Sequence, residues 1–135
     1  MKKIFITTIL ILSLFIIKIS EYVELNNLAI IESMAISYKD DIYQVHIKEI
    51  IPERGDEGIS YRYKYYSSNS ENLKKAIINI EKKSNKKVYL NKTKILIIEK
   101  KNKKRITKEL LKNNVKTKHY IYTNEDIEKV IRKKF

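Results

Sequence analysis

Leu28-Ala-Ile-Ile-Glu-Ser-Met-Ala-Ile-Ser-Tyr38 is the stretch whose reading decides the fold. Leu28, Ile30, Met34, Ile36 and Tyr38 share one phase of a two-residue repeat, broken only by Glu32. Ala29, Ile31, Ser33, Ala35 and Ser37 share the other. Successive side chains of a strand point to opposite faces, so this pattern predicts a strand with one apolar face. Lys39-Asp40-Asp41 is a turn signal. Ile42–Ile51 resumes the alternation through Tyr43, Val45, Ile47 and Ile51, and two such runs around a short polar turn predict a hairpin. Pro52 has no N–H to donate and is expected to end the ladder. Glu53–Gly58 then reads as a polar loop. Ile59–Ser67 predicts a third strand, with Ile59, Tyr61, Tyr63 and Tyr65 on one face and Ser60, Arg62 and Lys64 on the other. Tyrosine suits a half-buried strand face. The alternative role for tyrosine, stacking single-stranded nucleic acid beside basic groups, is disfavoured because the Arg and Lys fall on the opposite face.

Beyond the third strand the period changes. Ser68-Ser-Asn-Glu71 fits a capping box, with Ser68 as cap and Glu71 reaching back. Leu73, Ala76, Ile77 and Ile80 follow at helical spacing to about Lys83, which predicts an amphipathic helix lying on the sheet. Val88-Tyr-Leu90 is short and extended. Ile95-Leu-Ile-Ile98 is a continuous apolar run, the pattern of a strand buried on both faces. A second helix is expected over Thr107–Asn113 with Leu110 and Leu111 inward, closed by Asn113-Asn114 in a left-handed conformation. Lys116–Thr123 reads as a further strand. Thr123 is placed to cap a last helix with Asp126 at its third position and Ile127, Val130 and Ile131 facing the core. The order is three strands, helix, strand, helix, strand, helix. It predicts an α+β domain, a mixed β-sheet with packed helices.

An apolar segment precedes this body. Ile4–Ile17 carries no charge, stands behind Lys2 and Lys3, and is followed by Lys18. At ~1.5 Å per residue it spans about 21 Å, short of a ~30 Å hydrocarbon core. Lys18 can snorkel to lengthen it. Lys18-Ile-Ser-Glu-Tyr22 lacks the small residues of a cleavage site, so an uncleaved signal-anchor helix is expected rather than a cleaved signal peptide. Residues 1–20 are thus assigned to the anchor and 21–135 to a single domain. Lys2 and Lys3 hold the N-terminus in the cytoplasm, which places the body outside the membrane.

The net charge of +13 is unevenly distributed. Residues 21–71 carry five basic and ten acidic groups; residues 72–135 carry twenty-one basic and six acidic. A basic half of this kind either is a solvated lysine-rich surface or binds anionic polymers such as nucleic acid, wall polymer or anionic lipid. The chain has no cysteine, which excludes disulfides and thiolate metal sites. Two glycines are too few for a phosphate-cradling loop. His46 and His119 lie in predicted strands without carboxylates at metal-ligand spacing, and two histidines alone make a poor zinc site. Asp40-Asp41 and Asp56-Glu57 sit in turns, where turn chemistry accounts for them better than acid–base work. No catalytic, cofactor-binding or metal-ligating residue is assigned, and a non-enzymatic protein is expected.

Glu24-Leu-Asn-Asn-Leu-Ala-Ile-Ile31 resembles the opening of the mature body of the Ger(x)C lipoproteins, the C subunits of spore germinant receptors. The motif residues are Glu24, Leu25, Asn26, Leu28, Ala29 and Ile30. Tyr43–Pro52 resembles that family's second strand and Ser68–Ile80 its first helix. Val88–Ile98 resembles its aromatic segment leading into an aliphatic run, and Lys116–Ile131 the strand and helix that follow. The resemblance covers the family's N-terminal domain. Three departures matter, the first two being that no cysteine stands near Ile19 or Ser20 to carry a lipid and that the family's usual histidine is replaced around Asn91 or Lys92. The family's larger C-terminal part has no counterpart in these residues. The resemblance implies a peripheral extracytoplasmic subunit of a nutrient-sensing germination complex. Its partners would be the membrane and integral-membrane receptor subunits, and its location the spore inner membrane. It carries over no catalytic residues.

Overall fold

The computed structural model describes residues 27–56 and 58–133. The signal-anchor segment and Glu24, Leu25 and Asn26 lie outside them, and no helix among the described residues is long and apolar enough to cross a membrane. The elements are β1 (Leu28–Lys39), β2 (Ile42–Gly55), β3 (Gly58–Ser70), α1 (Leu73–Ser84), β4 (Lys87–Tyr89), β5 (Ile95–Glu99), α2 (Lys103–Lys112), β6 (His119–Thr123) and α3 (Ile127–Ile131). They form a six-stranded sheet of order β3-β2-β1-β5-β6, with β4 also pairing β1. The β1–β2 and β2–β3 pairs are antiparallel; β4 and β5 run parallel to β1, and β6 parallel to β5. The mixed sheet and its helices match the expected α+β architecture.

β1 departs from the expected strand with one apolar face. Residues Ser33–Ser37 are buried without interruption, because β1 lies between β2 and β5 and helices cover both faces there. The cause of the phase error is a bulge: Ile31 pairs with Glu49 and Ser33 with Lys48, so Glu32 is an extra residue. A bulge reverses which face each later side chain meets. Ala29 and Ile31 before it, and Met34 and Ile36 after it, therefore enter the same core, while Ile30 is left 46% exposed. The turn to β2 holds Asp40 (φ 51°) and Asp41 (φ 60°) in the left-handed region. Two such residues are what a tight hairpin turn requires, and Asp tolerates the conformation better than most.

Pro52 does not end the ladder. β2 continues to Gly55, with Pro52 opposite Tyr61 and only Asp56 and Glu57 between the paired ends. The β1–β2 pairing has ended by then, its register reaching no further than Ile31 and Glu49. The proline nitrogen can therefore face the side where no strand needs a donor.

One layer of helices covers the first face. Leu73, Ala76, Ile77 and Ile80 of α1 are buried, as their spacing predicts. They meet Ile36, Val45, Ile47, Leu96 and Ile98, with Ile106 and Leu110 of α2. The α1 cap is Asn72, not Ser68: Asn72 Oδ1 accepts from the Lys74 and Lys75 N–H groups at 2.8 and 3.4 Å. Ser68 is still in β3 and buried. α2 begins at Lys103, four residues before its expected start; Ile106 and Leu110, four residues apart, share its buried face, and Leu111 points outward at 58% exposure. Asn114 takes the left-handed conformation after it (φ 55°).

The second face is covered over only part of its width. Ile127, Val130 and Ile131 of the short helix α3 pack on Ala35 and Ile97, flanked by Ile95 and Ile121. The α3 cap is Asp126, whose Oδ1 accepts from Glu128 N–H at 2.9 Å; Thr123 instead closes a turn on Glu125. β5 is buried from Leu96 to Ile98, in agreement with its continuous apolar run.

Candidate interaction surface

The register places His46, Lys48, Ile50 and Pro52 of β2 opposite Ser67, Tyr65, Tyr63 and Tyr61 of β3. Pairing also sets Ala35 against His46. All of these side chains share the second face, the one α3 covers, because directly opposed residues point the same way. α3 reaches only as far as His46 and Tyr65. Beyond it the sheet stays open: Ile59 is 66% exposed, Tyr61 57%, and Tyr63 and Tyr65 38% each. The expected half-buried tyrosine face is thus an exposed ladder on an edge strand of a projecting hairpin. Contiguous apolar surface of this kind marks an interaction site more often than a random surface.

Two cations brace the ladder from other elements. Lys48 Nζ stands 4.3 Å from the Tyr63 ring centroid, and the Arg132 guanidinium 4.9 Å from that of Tyr65. Lys48 is itself buried and pairs with Glu32, the bulge residue, at 2.8 Å. The bulge therefore delivers the carboxylate that neutralises Lys48 beneath the tyrosines. Period-two reading of the sequence could not foresee these cations, since neither lies on β3.

At the covered end, His46 lines a small cavity of about 50 Å³ with Tyr65, Glu128, Ile131 and Arg132. Burial lowers the His46 pKa below its ordinary value, and Arg132 adds to this; Glu128 and Asp126 oppose it. The neutral ring is thus favoured in the folded state. The unfolded chain takes up the proton near pH 6.5, so this contribution to stability is complete above about 6.5 and declines as pH falls toward the folded-state value. Melting temperatures from pH 8 to pH 5 are expected to fall more steeply for the wild type than for His46→Gln. Parallel pH profiles would show that His46 is free of this effect.

A second feature lies on the opposite face. A cleft of about 690 Å³ opens between the β1–β2 turn, the start of α1 and α2, lined by Tyr38, Tyr43, Lys104, Arg105 and Lys108 among others. Arg105 lies 4.1 Å from the Tyr38 ring centroid, and the Tyr38 and Tyr43 rings are 4.7 Å apart. The Tyr38 hydroxyl donates to Asp41 at 2.8 Å, which raises its pKa; burial raises that of Tyr43. Asn102 Nδ2 donates to Tyr38 O at 2.7 Å and to Glu99 at 2.8 Å, fixing the basic Lys100–Arg105 segment against the end of β1. No group of three metal-ligating side chains occurs among the described residues.

Of the motif residues, β1 carries Leu28, Ala29 and Ile30. Ala29 is buried in the first core, Leu28 is half-buried, and Ile30 lies exposed. The described half of the motif is therefore the entry of the central strand.

A mixed sheet with helices on both faces, one face covered over only part of its width, defines an α+β domain. The chain belongs to the spore germination protein N-terminal domain family, whose model matches residues 21–118. The match includes β1 to α2 and stops before β6, so the likeness drawn over Lys116–Ile131 is matched only at its start. No curated protein and no solved structure matches the chain.

Proposed function

We propose that this protein is a membrane-anchored, extracytoplasmic and non-enzymatic component of a germinant-receptor complex, working through contacts with integral-membrane receptor subunits. Membership of the spore germination family supports the process. The single observation that supports contact as the mode of action is the exposed ladder Ile59, Tyr61, Tyr63 and Tyr65, with the open sheet face beside it. The apolar Ile4–Ile17 segment behind Lys2 and Lys3 supports the anchor and its orientation. The rival reading, a basic module held on anionic polymers, draws on the Lys104, Arg105 and Lys108 side of the cleft.

One fractionation separates the two. Spore membranes are washed with 1 M salt and then solubilised in detergent. An anchored receptor component is expected to stay in the washed membranes and to co-purify with integral germinant-receptor subunits. Purely electrostatic attachment weakens steeply with salt, because it is driven by counterion release. Release of most of the protein by the salt wash, or recovery without receptor subunits, would overturn the reading.

A further inference from the structure

The outer edge of β3 is the least defended part of the sheet. Among the described residues β3 pairs only with β2, in one unbroken register from Tyr43–Ser70 to Gly55–Gly58. It is 13 residues long and contains no proline. Native proteins usually blunt such an edge by shortening it, bulging it, covering it, or placing proline or charged side chains on it; between Ile59 and Tyr65 β3 has only the charges of Arg62 and Lys64, both on one face.

Which backbone groups face outward follows from the hairpin. In a two-residue hairpin the pair flanking the loop exchanges both hydrogen bonds, and bonded pairs alternate from there. Gly55–Gly58 is that flanking pair, so Ser60, Arg62, Lys64 and Tyr66 bond to β2. The N–H and C=O groups of Ile59, Tyr61, Tyr63 and Tyr65 then point away from it. Two observations agree. Pro52, which has no N–H, sits opposite Tyr61, a position where none is needed. The Ser67 carbonyl, in the same outward phase, accepts from Lys83 Nζ of α1 rather than from β2. Lys83 thus closes one end of the edge and leaves Ile59 to Tyr65 bare. The residues with outward backbone are also those carrying the exposed apolar side chains.

We propose that the edge of β3 from Ile59 to Tyr65 accepts an extended segment of a partner protein as an added strand, with side chains alternating apolar and acidic. This rests on the contact-based reading above and names its mode. An added strand obtains affinity from main-chain hydrogen bonds and specificity from alternate side chains. One side of the incoming strand packs on Ile59, Tyr61, Tyr63 and Tyr65. The other side meets Arg62 and Lys64. Arg62 is already matched by Glu53 at 2.7 Å. Lys64 lies opposite Glu49, whose carboxylate is held by Lys86 at 2.6 Å, so Lys64 has no carboxylate partner among the described residues. A carboxylate on the incoming strand supplies one. A second copy of this chain is the poorer occupant. Antiparallel self-pairing centred on Tyr63 sets Arg62 of one copy against Lys64 of the other, and like charges directly opposed are destabilising.

The test uses the full chain in detergent and two ten-residue probe peptides, one alternating valine with glutamate and one alternating valine with lysine. The glutamate peptide is expected to slow amide exchange at Tyr61, Tyr63 and Tyr65 at least tenfold and to bind at least tenfold tighter than the lysine peptide. Tyr63→Pro removes an outward N–H without touching a β2–β3 bond. It is expected to keep the fold and lose binding at least tenfold. Lys64→Glu, which alters no backbone group, is expected to reverse the peptide preference and decides the matter if the proline variant fails to fold. Equal binding of the two peptides, unchanged preference in Lys64→Glu, or an edge protected by dimerisation alone would overturn the proposal. Peptide capture without receptor co-purification would sink the receptor reading and leave the edge assignment standing; the reverse result would do the opposite.

Discussion

Ile36→Ala is expected to lower the unfolding free energy by about 3 kcal/mol, whereas Ile30→Ala on the same strand should cost less than about 1 kcal/mol. Ile36 is fully buried, on the central strand between Val45 of β2 and Ile98 of β5. Removing its outer carbons opens a cavity beneath α1 and α2 that the flanking strands cannot close without breaking their ladders. The cost is the lost transfer energy plus the cavity term. Ile30 is 46% exposed, so most of its side chain already meets water. Denaturant unfolding followed by circular dichroism reads both values. Equal losses would show that the two residues share a face, and would remove the bulge at Glu32 from the account.

That comparison also shows what the sequence alone could convey. Ile30 and Ile36 are in phase along the chain, and a period-two reading assigns them one environment. The inserted Glu32 separates them, and its signature was visible as the single charged interruption in the apolar phase. Its structural meaning was not, because a bulge is set by the partner strand: only the pairing of Ile31 with Glu49 and Ser33 with Lys48 reveals the extra residue. Helix faces were more legible. Leu73, Ala76, Ile77 and Ile80 point inward whatever lies opposite, since the 3.6-residue period belongs to the helix itself. Caps were less so. Ser68, Asn72, Thr123 and Asp126 all have capping side chains, and the choice among them depends on where the preceding strand releases the chain. The tyrosine ladder was recognised as a strand face, but its exposure was not. Whether a sheet face is covered depends on the reach of a separate element, and α3 stops at Tyr65. Lys48 and Arg132 come to the ladder from elsewhere in the chain, so no local pattern could place them.

The second large effect lies in the ion pair of Glu49 and Lys86. Lys86→Met is expected to destabilise the protein by about 3 kcal/mol near neutral pH. Glu49 points from β2 into the first face with its side chain 1% exposed, and Lys86 Nζ lies 2.6 Å from its Oε1. The lysine reaches that position because α1 ends in a fixed way. Asn85 takes the left-handed conformation (φ 54°), and the Asn85 and Lys86 N–H groups both return to Glu81 O. The Lys86 side chain is 30% exposed, so its own desolvation is modest. Glu49 Oε2 has no hydrogen-bond partner among the described residues, and the nearby Tyr66 hydroxyl is a neutral donor, so loss of the lysine leaves the carboxylate buried without its counter-charge. Glu49→Leu combined with Lys86→Met removes both charges and is expected to regain most of the loss, because it is the unpaired charge that is costly rather than the absence of the pair. Urea denaturation of the two single variants and the double variant at pH 7 closes the cycle. A loss below about 0.5 kcal/mol in Lys86→Met would place the pair with solvent-screened surface contacts. It would also show that a second donor, such as the Tyr66 hydroxyl, satisfies Glu49 in the folded protein.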